Sequence, residues 1–433
     1  MKKYQQFILV VLSILSLISL LFYRHEYNKL RYVLEVLNFF GTPGISTSAT
    51  ATCAQNISIE RQMLSEPLPA WQRVSNTLYI YSAYWETLDD KGHVKAIAIG
   101  VLNENLSYGC YLWYEGNANP IKGTFSFSGI PRKNQEAPSK NGIGSKYFSK
   151  SSKTKGFMFY CDAETPKYIP FGVTFYKKNN DETSQAFLPV ANVNVNQAVQ
   201  NSTAVCIMPI EYPYLKKSQY LEFLSFHKVI GITDFIIYGS NLQHNVLSPI
   251  LKDASYEINL INLQWNYPFV GDADLVRLVA ENDCMLRTKG YFENVAILKW
   301  NQFLVPRYHS NINNVLIDLD PDRKTQKFQF LTMLFCMEYK DDVKSDLSLP
   351  LVFRKTRYAI AKGDTSVTIF RPGLQTVPDE LKIQKVNKET VSVHWYTKCD
   401  SFDLKAPDKT TKKLDYSILR FNTDLMQSRL LKA

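Results

Sequence analysis

The sequence predicts an α/β protein. A β-rich segment precedes a doubly wound, Rossmann-like sheet, and a membrane anchor stands at the N-terminus. Three observations carry this expectation. Between residues 71 and 200, short apolar runs are separated by turn residues with no helical periodicity between them. From Ala204 onward, strand-like and helix-like runs alternate, the pattern of a parallel sheet covered on both faces. An apolar run over residues 7–23 follows Met1-Lys2-Lys3.

The 433 residues leave room for two or three domains, and 45% hydrophobic against 21% charged residues is enough to bury a sizeable core. Aromatic residues reach 13%, which suits β-structure and sugar stacking equally. The net charge of +10 does not indicate a nucleic-acid partner, because the lysines are scattered and no arginine-rich block occurs. The densest basic run, Lys405–Lys413, reads as a solvated loop.

Residues 1–6 form a short tail and 7–23 the anchor. No small-x-small cleavage site follows the apolar run, and Arg24–Arg31 is strongly polar, so an uncleaved signal anchor is expected. Basic residues flank both of its ends, which leaves orientation open. A span this short matches the thin early-secretory membranes of the Golgi or endoplasmic reticulum. Residues 24–70 read as a stem, with Thr42–Thr52 too poor in apolar residues to fold alone. Sequons at Asn56, Asn105 and Asn201 support lumenal exposure. The seven cysteines show no zinc spacing; an oxidising lumen would pair some, Cys110 with Cys161 first, and an odd number leaves at least one over.

Residues 71–200 are expected to form a β-rich domain, a sandwich, with strands at Leu78–Tyr84, Val94–Leu102, Cys110–Tyr114, Gly123–Phe127, Phe157–Cys161, Phe171–Tyr176 and Ala186–Val190. Arg132–Lys155 reads as an exposed insertion. In residues 201–400, strands are expected at Ala204–Ile210, Phe235–Tyr238 and Glu257–Gln264, with helices at Ser218–Ile230 and Asn245–Ala254. Ligands bind beyond the carboxyl ends of such strands, which nominates Pro209–Tyr212, Gly239–Asn241, Trp265–Tyr267 and Lys299–Gln302. Residues 401–433 are a C-terminal tail.

The most informative stretch is Leu275–Pro306. Leu275, Val276, Val279, Cys284 and Leu286 recur at helical spacing, with Asp274 as a cap, and Gly290 breaks the helix. The buried strand Val295–Leu298 then leads to Lys299, Trp300, Asn301 and Gln302, and the strand edge finishes at Val305-Pro306.

Six stretches together resemble glycosyltransferase family 92: Leu78–Tyr84, Ala204–Pro209, Tyr220–Gly231 with Phe235–Tyr238, Glu281–Arg287, Gln302–Pro306 and Val393–Cys399. The resemblance spans about residues 70–400. It implies a single-pass type II membrane protein with a lumenal GT-A-like domain. It also implies a UDP-sugar donor, Mn²⁺, a glycan or glycoprotein acceptor, and inverting transfer of a hexose, galactose in known cases. The family's metal pattern, Asp-x-Asp-Glu-Phe before an apolar pair and Pro, falls on Lys299 to Pro306. Lys299 and Asn301 stand where the aspartates belong, and Gln302 where the glutamate belongs. Further on, His394 and Tyr396 match the family's His-His-Tyr-Arg-like element.

Hard divalent cations want carboxylate oxygens, and a lysine repels them while pairing with phosphate as a point charge. Two readings follow. The chain transfers sugar with Lys299 taking over part of the metal's role, or it is a catalytically inactive lumenal protein that binds glycans or a partner. An ordinary metal site would have to come from Asp318 and Asp320, a literal Asp-x-Asp in a following loop or helix. Asn282 either faces the nucleotide or braces its helix. Asp283 and His394 are nominated as the general base that inversion requires. His227 reads as a packed core histidine, and Trp265 with Tyr267 as a buried pair rather than a sugar platform. No carboxylate pair for glycoside hydrolysis is apparent.

Overall fold

The computed structural model describes residues 71–432, apart from 89–90, 102–107, 118, 131–153, 164–167, 178–184, 194–197, 210–215, 240–256, 270–272, 343–347, 363–364, 375–381, 401, 403 and 405–412. The anchor, the stem, Cys53, the sequons at Asn56 and Asn105, the helix expected at Asn245–Ala254 and most of the Arg132–Lys155 insertion lie outside the described residues. Among those described, no helix is long and apolar enough to cross a membrane.

Eight strands form the first sheet: β1 (Gln72–Ser75), β2 (Leu78–Leu88), β3 (Lys91–Gly100), β4 (Tyr108–Trp113), β5 (Ile121–Gly129), β6 (Lys155–Asp162), β7 (Gly172–Lys177) and β8 (Gln185–Asn192). Their order is β1-β2-β3-β6-β5-β4-β7-β8, and β8 pairs back onto β2 through Ala83↔Val190. The expected sandwich is therefore a closed barrel. The long strand β2 slips register between Ile80 and Ala83, which lets its two halves serve different neighbours. Inward residues such as Ile80, Val94, Phe159, Val173 and Phe175 fill the interior. The disulfide Cys110–Cys161 joins β4 to β6 across the intervening β5. Only glycine fits beneath it, since a Cβ on Gly123 would stand 2.4 Å from Cys161 Sγ.

The second sheet has the order β11-β10-β9-β12-β17-β14-β18. Its first four strands are β9 (Val199–Ile207), β10 (Asp234–Gly239), β11 (Asn259–Gln264) and β12 (Phe292–Leu298). They run parallel, and all end at one rim. The remainder departs from the parallel expectation. With β13 (Gln302–Pro306), β14 (Lys327–Phe330), β15 (Thr332–Cys336), β16 (Arg357–Tyr358), β17 (Val367–Phe370), β18 (Ile383–Val386) and β19 (Val391–Thr397) placed, β17 is antiparallel to both β12 and β14. Nothing in the apolar runs of β14 and β17 marks direction, so the mixed half could not be read from periodicity.

Helices cover both faces of this sheet. The helix α1 (Lys217–Val229) packs Phe223, Leu224 and Phe226 on the face bearing Val205, Phe235, Ile237 and Leu298. On the other face, α2 (Ala273–Thr288) packs Leu275, Val279 and Cys284 against Ala204, Ile236, Tyr238 and Ile297. Cys206 and Cys284 form a disulfide there. Asp274 lies in the first turn of α2, and Gly290 (φ 94°) allows the sharp exit into β12.

The outer side of α2 meets barrel strands β2, β3 and β6. At this junction Asp283, fully buried, accepts bonds from Ser82 and Tyr84 (2.6 Å) of β2 and from Tyr238 (2.7 Å) of β10. Arg287, one turn along α2, completes the ion pair at 3.1 Å. Burial, then the Asp283 charge, hold the Tyr238 phenol well above its ordinary value. Burial works against the charged Arg287, and Asp283 with the surrounding tyrosines outweighs it.

Asp283→Ala removes the buried carboxylate with which Arg287 forms its ion pair. A loss of about 3–5 kcal/mol is expected in urea unfolding. A loss under about 1 kcal/mol would mean that water reaches the junction.

Candidate functional site

The expected strand Val295–Leu298 lies within β12, and the residues up to Val305-Pro306 form a second strand. The strand β12 ends at Leu298, the chain turns through Lys299-Trp300-Asn301, and β13 begins at Gln302 in a different, three-stranded sheet, β13-β19-β15. The turn thus sits at the carboxyl rim of the parallel strands, beside the end of β9, where Met208 N donates to Leu298 O at 2.9 Å.

Aromatic packing fixes the turn from below. Trp300 is buried edge-on against Tyr220 and Phe223 of α1, with centroids 4.7 and 5.2 Å away. Hydrogen bonds fix it from the sides. Gln302 Oε1 accepts from Lys299 N at 2.9 Å, and Gln302 N donates to Lys299 O at 3.0 Å. Asn301 Nδ2 donates to Tyr396 O at 2.9 Å, and Tyr396 N donates to Asn301 O at 2.9 Å. Lys299 is half-buried, with Nζ 5.3 Å from the Trp395 ring centroid.

Trp395 was not anticipated. Strand alternation in β19 offered a signal, because it sets Trp395 on the face opposite His394 and Tyr396. On that face lie Phe402 and the Cys336–Cys399 disulfide. Glu338 accepts from Cys399 N at 3.0 Å. Among the described residues, Cys336, Glu338 and Cys399 are the only group of three spaced as metal ligands, and the disulfide consumes both sulfurs.

The residues at the family's metal position do not suit Mn²⁺. They offer an ammonium, an amide already donating to backbone, and an amide oxygen already accepting from one; no carboxylate is among them. The literal Asp-x-Asp gives no substitute. Asp318 closes the helix α3 (Ile312–Leu319) on the exposed side, paired with His309 at 3.0 Å. Asp320 is buried against Arg371, which also donates to Asn294 at the start of β12. The two carboxylates therefore diverge, at the amino end of β12, the rim opposite Lys299.

Both nominated bases are corrected. Asp283 and His394 have no exposed surface, so neither reaches an acceptor hydroxyl. Asp283 is the junction hub described above. His394 is stacked on Phe335 with centroids 4.4 Å apart, and its Nε2 lies 3.8 Å from Asp415 and 3.5 Å from Ser417. Those contacts fasten the C-terminal segment to β19. Burial holds its imidazole well below the usual histidine range. Asn282 donates to Leu278 O at 2.7 Å within α2, so it braces the helix. Trp265 is buried, stacked with half-buried Tyr267 at 6.1 Å. Of the other rim segments nominated, most of Pro209–Tyr212 and Gly239–Asn241 lies outside the described residues.

Two further titratable groups are buried on α1. Neutral His227 donates from Nδ1 to Phe223 O (2.8 Å), leaving Nε2 to accept from Leu304 N (3.5 Å), and it stacks on Phe303. Burial lowers it to about 4. Glu222 accepts from Val352 N at 2.7 Å at the start of the helix α4 (Leu351–Arg354), and burial raises its carboxyl to about 7.

The family model of glycosyltransferase family 92 matches residues 201–423, just over half of the chain. No curated protein matches significantly. Among solved structures, TarS 1–349 of S. aureus aligns at 9% identity and TM-score 0.26, over 46% of this chain and 60% of that one. HddC of Yersinia pseudotuberculosis aligns at 10% and 0.25, over 46% and 91%. A nucleoside-diphosphate-sugar pyrophosphorylase of Vibrio cholerae aligns at 12% and 0.22, over 45% and 91%. Such scores are too low to establish a shared fold.

The two groups on α1 titrate with opposite sign. The folded pKa of His227 is depressed, so its contribution is complete above the unfolded value and is lost as pH falls from about 6.5 to about 4. The folded pKa of Glu222 is raised, so ionising it costs stability as pH rises from about 4.5 to about 7. Glu222→Gln should be near neutral at pH 5 and stabilising by about 2 kcal/mol at pH 8 in urea unfolding. Equal effects at the two pH values would show that water or a counter-charge solvates the carboxylate.

Proposed function

The chain belongs to glycosyltransferase family 92, and from that premise we propose that it transfers a hexose, galactose in the first instance, from a UDP-sugar to a glycan acceptor with inversion. The transferring domain is GT-A-like, and the diphosphate lies over the Lys299-Trp300-Asn301 turn. One observation carries the reading. A lysine stands half-buried at the carboxyl rim of the parallel strands, where a doubly wound sheet takes its ligand, on a turn immobilised by Trp300, Asn301 and Gln302.

In the reaction the acceptor oxygen attacks the anomeric carbon. The bond from that carbon to the β-phosphate oxygen breaks, UDP leaves with the electron pair, and the acceptor's proton passes to a base. Charge grows on the departing diphosphate. Mn²⁺ supplies the compensating charge elsewhere in the family; here the Lys299 ammonium supplies it. The partly desolvated position over Trp395 strengthens that charge relative to water. Asn301 and Gln302 act by holding the turn, so that the amine needs little reordering as charge develops. We place the catalytic domain in the lumen of the Golgi or endoplasmic reticulum, behind an N-terminal anchor.

One observation favours the inactive alternative, a glycan- or partner-binding protein. The two amides at the family's ligand positions are already bonded to backbone, so the turn offers a donor nucleotide little besides Lys299.

Full-length protein assayed for UDP release from UDP-galactose with glycan acceptors should turn over in EDTA and gain little from Mn²⁺. Lys299→Ala should lower kcat by about 10²–10³. Turnover only with Mn²⁺ contradicts the lysine substitution, and glycan binding without turnover establishes the inactive reading.

A further inference from the structure

We propose that Asn201 carries an N-linked glycan, on the rim of the second sheet opposite the transferase site. The inference does not rest on the transferase reading, since an inactive protein would carry the modification equally.

Asn201-Ser202-Thr203 is an acceptor sequence for N-glycosylation. All six cysteines among the described residues are paired, Cys110–Cys161, Cys206–Cys284 and Cys336–Cys399. Disulfides throughout the fold indicate the oxidising compartment in which such glycans are attached. The local geometry then singles out the amide nitrogen. Asn201 is exposed and sits where β9 bulges against β12, between the pairs Phe292↔Val199 and Asn294↔Thr203. Its φ is +56°, in the left-handed region, and Arg323 shares that region at +55°. Among the described residues, these are the only non-glycines with positive φ, and they meet: Arg323 Nη2 donates to Asn201 Oδ1 at 2.8 Å. Asn201 N donates to Glu293 at 2.7 Å. The side-chain oxygen is thus held, while Nδ2 makes no hydrogen bond to any described residue. A glycosylated asparagine keeps its carbonyl oxygen as an acceptor and needs only Nδ2 open.

The position is also compatible with the transferase site. Asn201 lies at the amino end of β9 and the Lys299 turn beside its carboxyl end, about 20 Å away along the strand. A sugar chain at Asn201 projects from the rim that does not take the donor.

Attachment forms a bond from Nδ2 to the anomeric carbon of an oligosaccharide carried on a polyprenyl diphosphate. The bond from that carbon to diphosphate breaks, and the amide proton leaves to a base. The Thr203 hydroxyl, which acceptor recognition requires, is buried in the folded chain and bonded to Asn313 at 2.5 Å. Attachment therefore precedes folding of β9.

The test expresses the full chain in a eukaryotic secretory host and treats its peptides with peptide N-glycosidase in heavy-oxygen water. Mass spectrometry of the peptide spanning Asn201 should find aspartate bearing the heavy oxygen in most molecules. Asn201→Gly, which suits a left-handed φ, should remove one glycan's worth of gel mobility, with Asn56 and Asn105 unchanged as internal controls. An unmodified Asn201 peptide, or a mobility pattern that the glycine variant leaves intact, overturns the assignment.

Discussion

The seam between barrel and sheet holds a negative charge out of water, and its satisfaction constrains the architecture around it. Asp283 has no exposed surface, and its two oxygens are shared among two barrel hydroxyls, one hydroxyl of β10 and the guanidinium of Arg287. Those donors offset the cost of taking a carboxylate out of water. Their simultaneous presence requires β2, β10 and α2 to meet in one arrangement. The parallel strands are consequently anchored on the α2 face, and their carboxyl ends form a fixed rim.

On the opposite face, α1 performs a comparable task for the candidate site. Its aromatic side chains seat Trp300, and His227 reaches across to Leu304 N in β13. The turn between two sheets is rigid because its apolar residue is buried and its polar side chains are committed to backbone. What such a turn presents is a cation. A metal site built from carboxylates needs an ion to be recruited; a lysine brings the charge permanently, at the cost of the multidentate geometry that a metal provides. The literal Asp-x-Asp does not restore that geometry, because α3 points Asp318 outward while Asp320 turns inward to Arg371.

Much of this was legible in the residues. The barrel strands, the helices α1 and α2 and the parallel strands follow from apolar periodicity, and Cys110–Cys161 pairs as expected. Barrel closure was not legible, because it depends on one strand, β2, pairing with both β3 and β8, and a strand's pattern does not count its neighbours. The passage of β13 into a separate sheet escaped, because the polar residues after Leu298 mark a break and not the partner of the strand that follows. For the two nominated bases, burial is the feature that the residue pattern did not report. His394 and Asp283 are reactive types in family motifs, yet each spends its polarity on internal partners. Periodicity reports which face is apolar, and it does not report whether a polar residue on that face is matched.

The central claim is that the protein supplies the cation for a diphosphate at the end of β12. Calorimetric titration of UDP and of uridine in EDTA addresses it without any requirement for turnover. The account predicts that UDP binds without metal, that Lys299→Met weakens UDP by about tenfold or more, and that uridine binds both proteins alike. UDP binding that appears only with Mn²⁺ and is indifferent to Lys299→Met would contradict it.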